Sequence, residues 1–433
     1  VNTTAGWCPT PSHARAVLGA AGFAVVAVLA RRPDVLVLAT PLVGAAIWAV
    51  ILRPGHVPEV SQFVGNSVMR EGEATTWHIW VTDEQHRTED VAALFHAPAW
   101  VDLHPSDGQG VVSLPDDGVE PLSLVVRPTR WGRHRLQPAL VIASSGWNAF
   151  RYVSRDWSDA RDLITLPQPS AFDAVAPGVR APGLVGVNRS PRYGEGSEFA
   201  AVRPFQPGDK LRRIHWPESL RSQVLHVTST WADHDRHVVL LLDAFEDVGE
   251  SGGIDGRASS LDIAVRATAA IAEHYTRTGD RVALVPIGAR DSRRLPPAVG
   301  YHHLRRLLEA LTNLEPARAY PDRGAMPRGL SSGALVVMLS PLLSEGAFQR
   351  LAAIADHGLN VIAIDCLPTD IGVEDPADPY AGITWRIEIL ERQRRLRQVR
   401  QAGVAVVPWR GPGSLDLVLR GLNRRANVRP GRL

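Results

Sequence analysis

Two uncharged runs near the start of the chain limit what it can fold into more than any other feature. Val17 to Ala30 contains only Val, Leu, Gly, Ala and Phe, and Val35 to Leu52 holds no charge, although Thr40 and Pro41 lie inside it. Each is close to the shortest length that crosses a bilayer, and Ala14 to Ala16 can extend the first if Arg15 snorkels. A buried core helix normally shows a polar stripe, which both runs lack. With Arg31-Arg32-Pro33-Asp34 as a charged turn, residues 14–55 read as a transmembrane helical hairpin. Val28-Leu29-Ala30 has the small-residue spacing of a signal-peptide cleavage site, but a cut there would leave the second run as a lone anchor directly after it. The arginines do not orient the hairpin, since Arg15 and Arg53 flank it while Arg31 and Arg32 sit in its turn.

At 433 residues the chain exceeds one small core, so two or three domains are expected. With 47 basic against 45 acidic residues the formal charge is +2, which gives no global field for nucleic acid or acidic polymers. Cys8 and Cys366 lie far apart and supply neither a disulfide framework nor a zinc ligand set. Sparse cysteine favours a reducing compartment for the soluble part.

Beyond the hairpin the pattern changes twice. Residues 56–162 alternate in short runs such as Thr75 to Val81 and Leu122 to Val126, separated by Asp83-Glu84, Pro105 to Gly108 and Pro115 to Gly118. This predicts a small β-sandwich. A connector rich in Pro, Gly and Ala follows, within 163–236. From 237 to 423 apolar strands alternate with helical segments: strands Val238–Leu242, Arg281–Ile287, Ala334–Leu339, Asn360–Asp365 and Val404–Val407, and helices Leu261–Thr278, Tyr301–Leu311, Ser344–His357 and Trp385–Ala402, with a last helix near Gly413–Gly421. Such alternation predicts an α/β domain with a doubly wound parallel sheet. Residues 424–433 form a basic tail.

Between connector and sheet lies R-Y-G-E-G-S-E-F-A-A-V-R-P-F-Q-P-G-D-K-L-R-R-I-H-W-P-E-S-L-R, residues 192–221. Gly194 and Gly196 allow unusual backbone angles, and Pro207-Gly208-Asp209 is a turn signal. Glu198, Arg203, Asp209, Arg212, Arg213 and Arg221 supply pairable charges around Phe199, Phe205, Ile214 and Trp216. The order G-x-G-x-x-E-F, R-x-x-x-x-G-D, R-x-I-x-W and a final Arg closely resembles the signature of the bacterial domain-of-unknown-function 58 family. Arg130 to Leu136 resembles a strand of the same family, and Gly146 to Phe150 stands where relatives usually have D-P-F-G. The resemblance implies a membrane-associated protein whose signature precedes a von Willebrand factor A-like domain. It also implies a protein partner, commonly a MoxR-type AAA+ ATPase, and a cytoplasmic large domain.

Ligands of open α/β sheets bind beyond the carboxyl ends of the strands, so Asp243 is the first candidate. The metal-binding form of the A domain has D-x-S-x-S there, with hard oxygen ligands for magnesium. This chain has Asp243-Ala244-Phe245-Glu246-Asp247, and Ser340-Pro341 where a later acidic ligand would stand. Asp243 and Asp247 are the metal candidates, with helix capping or pairing to an arginine as the structural alternative. No G-x-x-x-x-G-K-[ST], H-E-x-x-H or G-x-S-x-G occurs. His215 has no nucleophile at a recognisable spacing and is expected to be structural. Arg203, Arg212 and Arg213 are expected either in an internal lattice with Glu198 and Asp209 or on a face for an acidic partner. Arg392, Arg394, Arg395, Arg397 and Arg400 are expected to form a solvated basic face near a helix C-terminus.

Together with the resemblance, the sequence predicts a membrane-anchored, non-enzymatic scaffold that needs no cofactor and binds a protein, which the resemblance implies is a MoxR-type AAA+ ATPase acting in assembly or maturation of a complex. The alternatives are a metal-dependent adhesion or ligand-binding module and, third, a hydrolase using Asp243 and His215.

Overall fold

The computed structural model describes residues 6–113, 122–154, 160–168, 193–207, 209–231, 237–290, 293–316, 334–357, 359–369, 371, 378 and 380–410. The expected helix near Gly413–Gly421, the basic tail and most of the Pro-rich connector lie outside them. The chain divides into two compact units, Val1–Pro167 with Gly253–Asp255, and Gln168–Gly252 with Gly256–Leu433.

In the first unit, helices Pro11–Leu29 and Val35–Leu52 lie side by side and are long and apolar enough to span a bilayer. Thr10 caps the first through its side chain, with Pro11 at the first helical position, where no backbone donor is needed. Both helices leave most of their apolar side chains exposed, so the interior of the unit does not account for their composition. Two antiparallel sheets follow. One runs in the order Cys8–Pro9, Phe150–Val153, Leu140–Ser145, Asp90–Leu94, Gln109–Ser113, and the other Glu59–Val64, Thr75–Thr82, Leu122–Pro128, Val101–His104. Alternate residues point inward, so Trp77, Ile79, Val81, Leu124 and Val126 of one sheet share a core with Val91, Ala93, Val141 and Ala143 of the other. Trp7, ahead of the first helix, and Ala49, near the end of the second, belong to that core as well.

The helices are tied to the sheets by hydrogen bonds. The Thr10 N–H donates to Ala149 O (2.8 Å), its hydroxyl donates to Asn148 O (2.7 Å), and the Ser145 hydroxyl donates to Leu52 O (3.5 Å). Arg87 Nη1 donates to Ile51 O at 2.9 Å and so caps the C-terminus of the second helix, where carbonyls lack internal partners. Asp83 shapes the loop that carries Arg87 by accepting from the backbone N–H groups of Gln85, Arg87 and Thr88 and from the Thr88 hydroxyl.

The second unit is built on a six-stranded sheet in the order Leu295–Ala298, Arg281–Ile287, His237–Asp243, Leu335–Ser340, Asn360–Asp365, Ala405–Pro408. All neighbours are parallel except the Leu295–Ala298 edge, which runs antiparallel on Arg281–Ile287. That edge was not expected, because its Leu-Pro-Pro-Ala sequence lacks the residues that mark a strand; prolines are tolerated at an edge, where no further strand needs their donors. Val239, Leu241, Val336 and Met338 pack with helices Glu345–Asp356 and Ala381–Gln401. Helix Ser260–Arg277 packs on His237–Asp243 and its neighbours, and its N-terminus is a capping box between Ser259 and Asp262. Ahead of the sheet, Tyr193–Pro204 pairs antiparallel with His226–Trp231, and helix Trp216–Ser222 fills the connection.

Candidate functional site

The ends of His237–Asp243 and Leu335–Ser340 meet where the chain changes direction across the sheet, the place where an open α/β sheet forms its binding crevice. Here it is filled. Asp243 is buried, and both carboxylate oxygens have partners: one accepts from the Ser340 hydroxyl at 2.5 Å, the other from the Phe245 N–H at 3.1 Å. Ser340 in turn accepts from the Leu342 N–H at 2.9 Å. Leu342 holds a left-handed conformation with φ 53° and is itself buried, so the loop closes tightly over the strand ends. Phe245 lies over Gly288, where a Cβ would collide with its ring, and the buried guanidinium of Arg350 stands 5.9 Å from the centre of that ring. Burial pushes the Asp243 carboxyl up from its ordinary range, against the opposing pull of Ser340, Phe245 and Arg350.

Asp247, the second metal candidate, is turned to a different task. It accepts from the Ser259 hydroxyl (3.0 Å), the Ser260 hydroxyl (3.4 Å) and the Leu261 N–H (3.0 Å), and so holds the N-terminus of helix Ser260–Arg277. Among the described residues no group of three or more His, Cys, Asp or Glu side chains could hold a metal ion. Cys366 also lies at these strand ends, its N–H donating to Ser340 O at 3.0 Å. Burial, reinforced by the carboxylates of Asp365 and Asp243, pushes its thiol well above the ordinary range, which disfavours the reactive thiolate. His215 caps helix Trp216–Ser222, its Nδ1 accepting from the Glu218 N–H at 3.3 Å. No hydrogen bond joins it to Asp243 among the described residues.

The expected solvated basic face on the Ala381–Gln401 helix needs correction. Arg394 and Arg397 are exposed, but Arg392 is buried, forms an ion pair with Asp365 and donates Nε to Pro341 O at 2.9 Å. Arg395 donates to Leu343 O at 3.3 Å and lies over the Phe348 ring. These two arginines pin the helix to the loop that closes over Ser340, because strand Asn360–Asp365 ends beside it.

The signature residues divide between fastening and display. Gly194 and Gly196 lie on strand Tyr193–Pro204, Gly194 in register with Thr230, and the ladder slips between Gly194 and Phe199. Gly208 and the Glu198 side chain lie outside the described residues, so the expected lattice is visible only from Arg203 onward. Arg203 grips Asp209 with two parallel bonds of 2.8 and 2.7 Å, and Asp209 also accepts from the Gln206 N–H at 2.8 Å, closing the turn. The Arg203 guanidinium holds the Asp209 carboxyl below its ordinary range. Ile214 bridges to Val227, and the His215 N–H donates to His226 O.

Arg212 and Arg221 are exposed and do not join that turn. Phe199 and Trp216, expected at the apolar centre of the segment, are instead 61% and 59% exposed. Leu211, Leu220 and Val224 are exposed beside them in sequence, and Trp216 and Leu220, four apart on one helix, share a face. Exposure was not legible because a signature rich in glycine and charge gives no apolar period from which to tell inside from outside.

Residues 201–404 match the family model described as "Protein of unknown function DUF58". Uncharacterized proteins of Mycobacterium tuberculosis and Mycobacterium bovis are 32% identical over 197 residues, which cover 43% of this chain and 60% of theirs. Among solved structures, the cupredoxin domain of amoB from Nitrosocaldus yellowstonii aligns at 8% identity over 26% of this chain and 88% of its own, with a TM-score of 0.18. The complex of zinc 2-glycoprotein and prolactin inducible protein from human seminal plasma aligns at 11% identity over 26% of this chain and 99% of the other, also at 0.18. The resemblance read from the signature is thus matched over residues 201–404, which carry the signature from Ala201 onward and the parallel sheet up to its last strand, and this chain spans about 60% of the length of those mycobacterial relatives.

Proposed function

We propose that this chain is a membrane-anchored, non-enzymatic scaffold that binds a protein partner, and that the partner is a MoxR-type AAA+ ATPase, as the family resemblance implies. The observation that carries the reading is the contrast between two regions of the second unit. The strand-end crevice, where a ligand-binding sheet would work, is packed with Phe245, Leu342 and Arg350 around satisfied Asp243. The signature segment instead displays Phe199, Leu211, Trp216 and Leu220 to solvent beside Arg212 and Arg221. Large exposed apolar side chains with arginines among them are the composition of an interface centre.

The sheet order, with its antiparallel third strand at the edge, supports a doubly wound von Willebrand A-like domain that has lost metal chemistry. Both apolar helices are read as a multi-pass anchor in the cell membrane, with the large unit on the cytoplasmic side where a cytosolic ATPase can reach it. The experiment is affinity capture of the tagged full chain from native membranes, with Trp216→Ala and Leu220→Ser compared with wild type. The reading expects the ATPase to be recovered with wild type and lost from the double variant at an unchanged melting temperature. Equal recovery from both, or no ATPase with either, would reject it.

A further inference from the structure

The turn Gly146-Trp147-Asn148 stands where the two apolar helices join the β-rich unit. The Thr10 N–H and hydroxyl bond to Ala149 O and Asn148 O, which places the turn beside the first residue of helix Pro11–Leu29. It reaches further along the other helix. A Cβ on Gly146 would lie 3.2 Å from Ala49 O, and Ala49 precedes the helix end at Leu52 by three residues, about 4.5 Å of rise.

Length then fixes depth. The 18 residues of Val35–Leu52 make a helix of about 27 Å, slightly shorter than the ~30 Å hydrocarbon core of a bilayer. None of that helix can be spared for water, so Ala49 lies inside the acyl boundary. The turn packed on it is carried to the same level.

What the turn presents there is Trp147, 69% exposed. Trp147 and Asn148 both adopt left-handed backbone angles, φ 54° and 60°, which side chains other than glycine rarely take. The conformation is held by both oxygens of Glu89, which accept from the Trp147 N–H at 3.0 and 2.9 Å. An indole with an apolar body and one N–H donor is best solvated at the boundary between headgroups and acyl chains. Trp48, half exposed on the adjoining helix, stands at a similar level, and Arg15, Arg53 and Arg151 are exposed around the junction.

We propose that the Trp147 turn is a lipid-binding foot. It seats the β-rich unit on the phospholipid surface, with the indole at the headgroup–acyl boundary and Arg15, Arg53 and Arg151 among the lipid phosphates. This rests on the reading of the two helices as a membrane anchor.

The test uses the full chain with Cys8→Ser, in nanodiscs of phosphatidylcholine and phosphatidylglycerol. Single cysteines at Trp147→Cys, Ile47→Cys and Val111→Cys carry a nitroxide, with Cys366 buried in every case. The expected result is a label at 47 shielded from a water-soluble relaxing agent and open to oxygen, and a label at 111 freely accessible in water. The label at 147 should collide with the water-soluble agent several-fold less than the one at 111. A label at 147 as accessible as that at 111, with 47 still shielded, overturns the foot and leaves the anchor. A label at 47 in water overturns both. Because the cysteine variant could perturb the turn, Trp147→Phe provides a second measurement. Quenching by brominated lipid should fall relative to wild type, and equal quenching in the two chains would also reject the proposal.

Discussion

Replacing Asp365 by Asn tests whether the basic helix is held by a buried ion pair. The Arg392 side chain is 9% exposed and the Asp365 side chain 18%, so the pair is largely removed from water. Taking one partner from a fully buried pair costs about 3–5 kcal/mol, because the remaining charge is stranded. Here the residual exposure of Asp365 and the surviving bond from Arg392 Nε to Pro341 O bring the expectation down to about 2–3 kcal/mol. For a unit of this size that is a fall in melting temperature of roughly 5–10 °C. Arg392→Met keeps the aliphatic stem and should cost about as much, while the double variant should cost clearly less than the sum, since neither charge is then left alone. Arg394→Met and Arg397→Met, on the exposed side of the same helix, should stay within about 0.5 kcal/mol of wild type. The assay is denaturant and thermal unfolding of the detergent-solubilised chain, followed by circular dichroism. If Asp365→Asn melts with wild type, or Arg394→Met is as damaging, the pair does not hold the helix and the solvated-face expectation was right.

Two further outcomes follow from the carboxylates. Magnesium or manganese at 10 mM would add about 1.4 kcal/mol to a site of millimolar affinity; we expect no rise in melting temperature, and a rise that vanishes in Asp243→Ala would restore the metal-dependent reading. Burial alone would raise the Asp83 carboxyl, but the Thr88 side chain and the backbone donors of Gln85, Arg87 and Thr88 outweigh it and hold it below its ordinary range. A depressed carboxyl contributes stability that is present above the unfolded pKa of about 3.9 and is lost as pH falls through the folded value. The first unit should therefore weaken below about pH 4, and Asp83→Asn should flatten that part of its stability profile while lowering stability at neutral pH.

Much of the second unit was legible because its strands and helices announce themselves locally. Arg281–Ile287, Tyr301–Leu311 and Asn360–Asp365 coincide with the sequence expectation. The helix beginning at Ala381 starts four residues earlier than Trp385, since the alanine, glycine and isoleucine there carry no start signal of their own. Contacts that depend on strand order stayed hidden. Ser340 could be seen to replace an acidic ligand, yet its bond to Asp243 joins positions 97 apart in sequence and exists only because their strands are neighbours. Arg392 reads as one more cation in a basic run until Asp365 is brought beside it. Asp247 illustrates the converse, a carboxylate that resembles a ligand and instead satisfies helix donors.

The hydrogen bonds from Thr10, Ser145 and Arg87 to the opposite sides of the helix junction leave the β-rich unit without a swivel. A domain on a loose tether averages its orientation and is indifferent to how its anchor leans. On the proposed reading of the two helices as a membrane anchor, this unit moves with them. In a bilayer thicker or thinner than the helices prefer, their tilt changes to reduce the mismatch, and the β-rich unit turns through the same angle, so that membrane thickness is converted into the direction in which the unit faces.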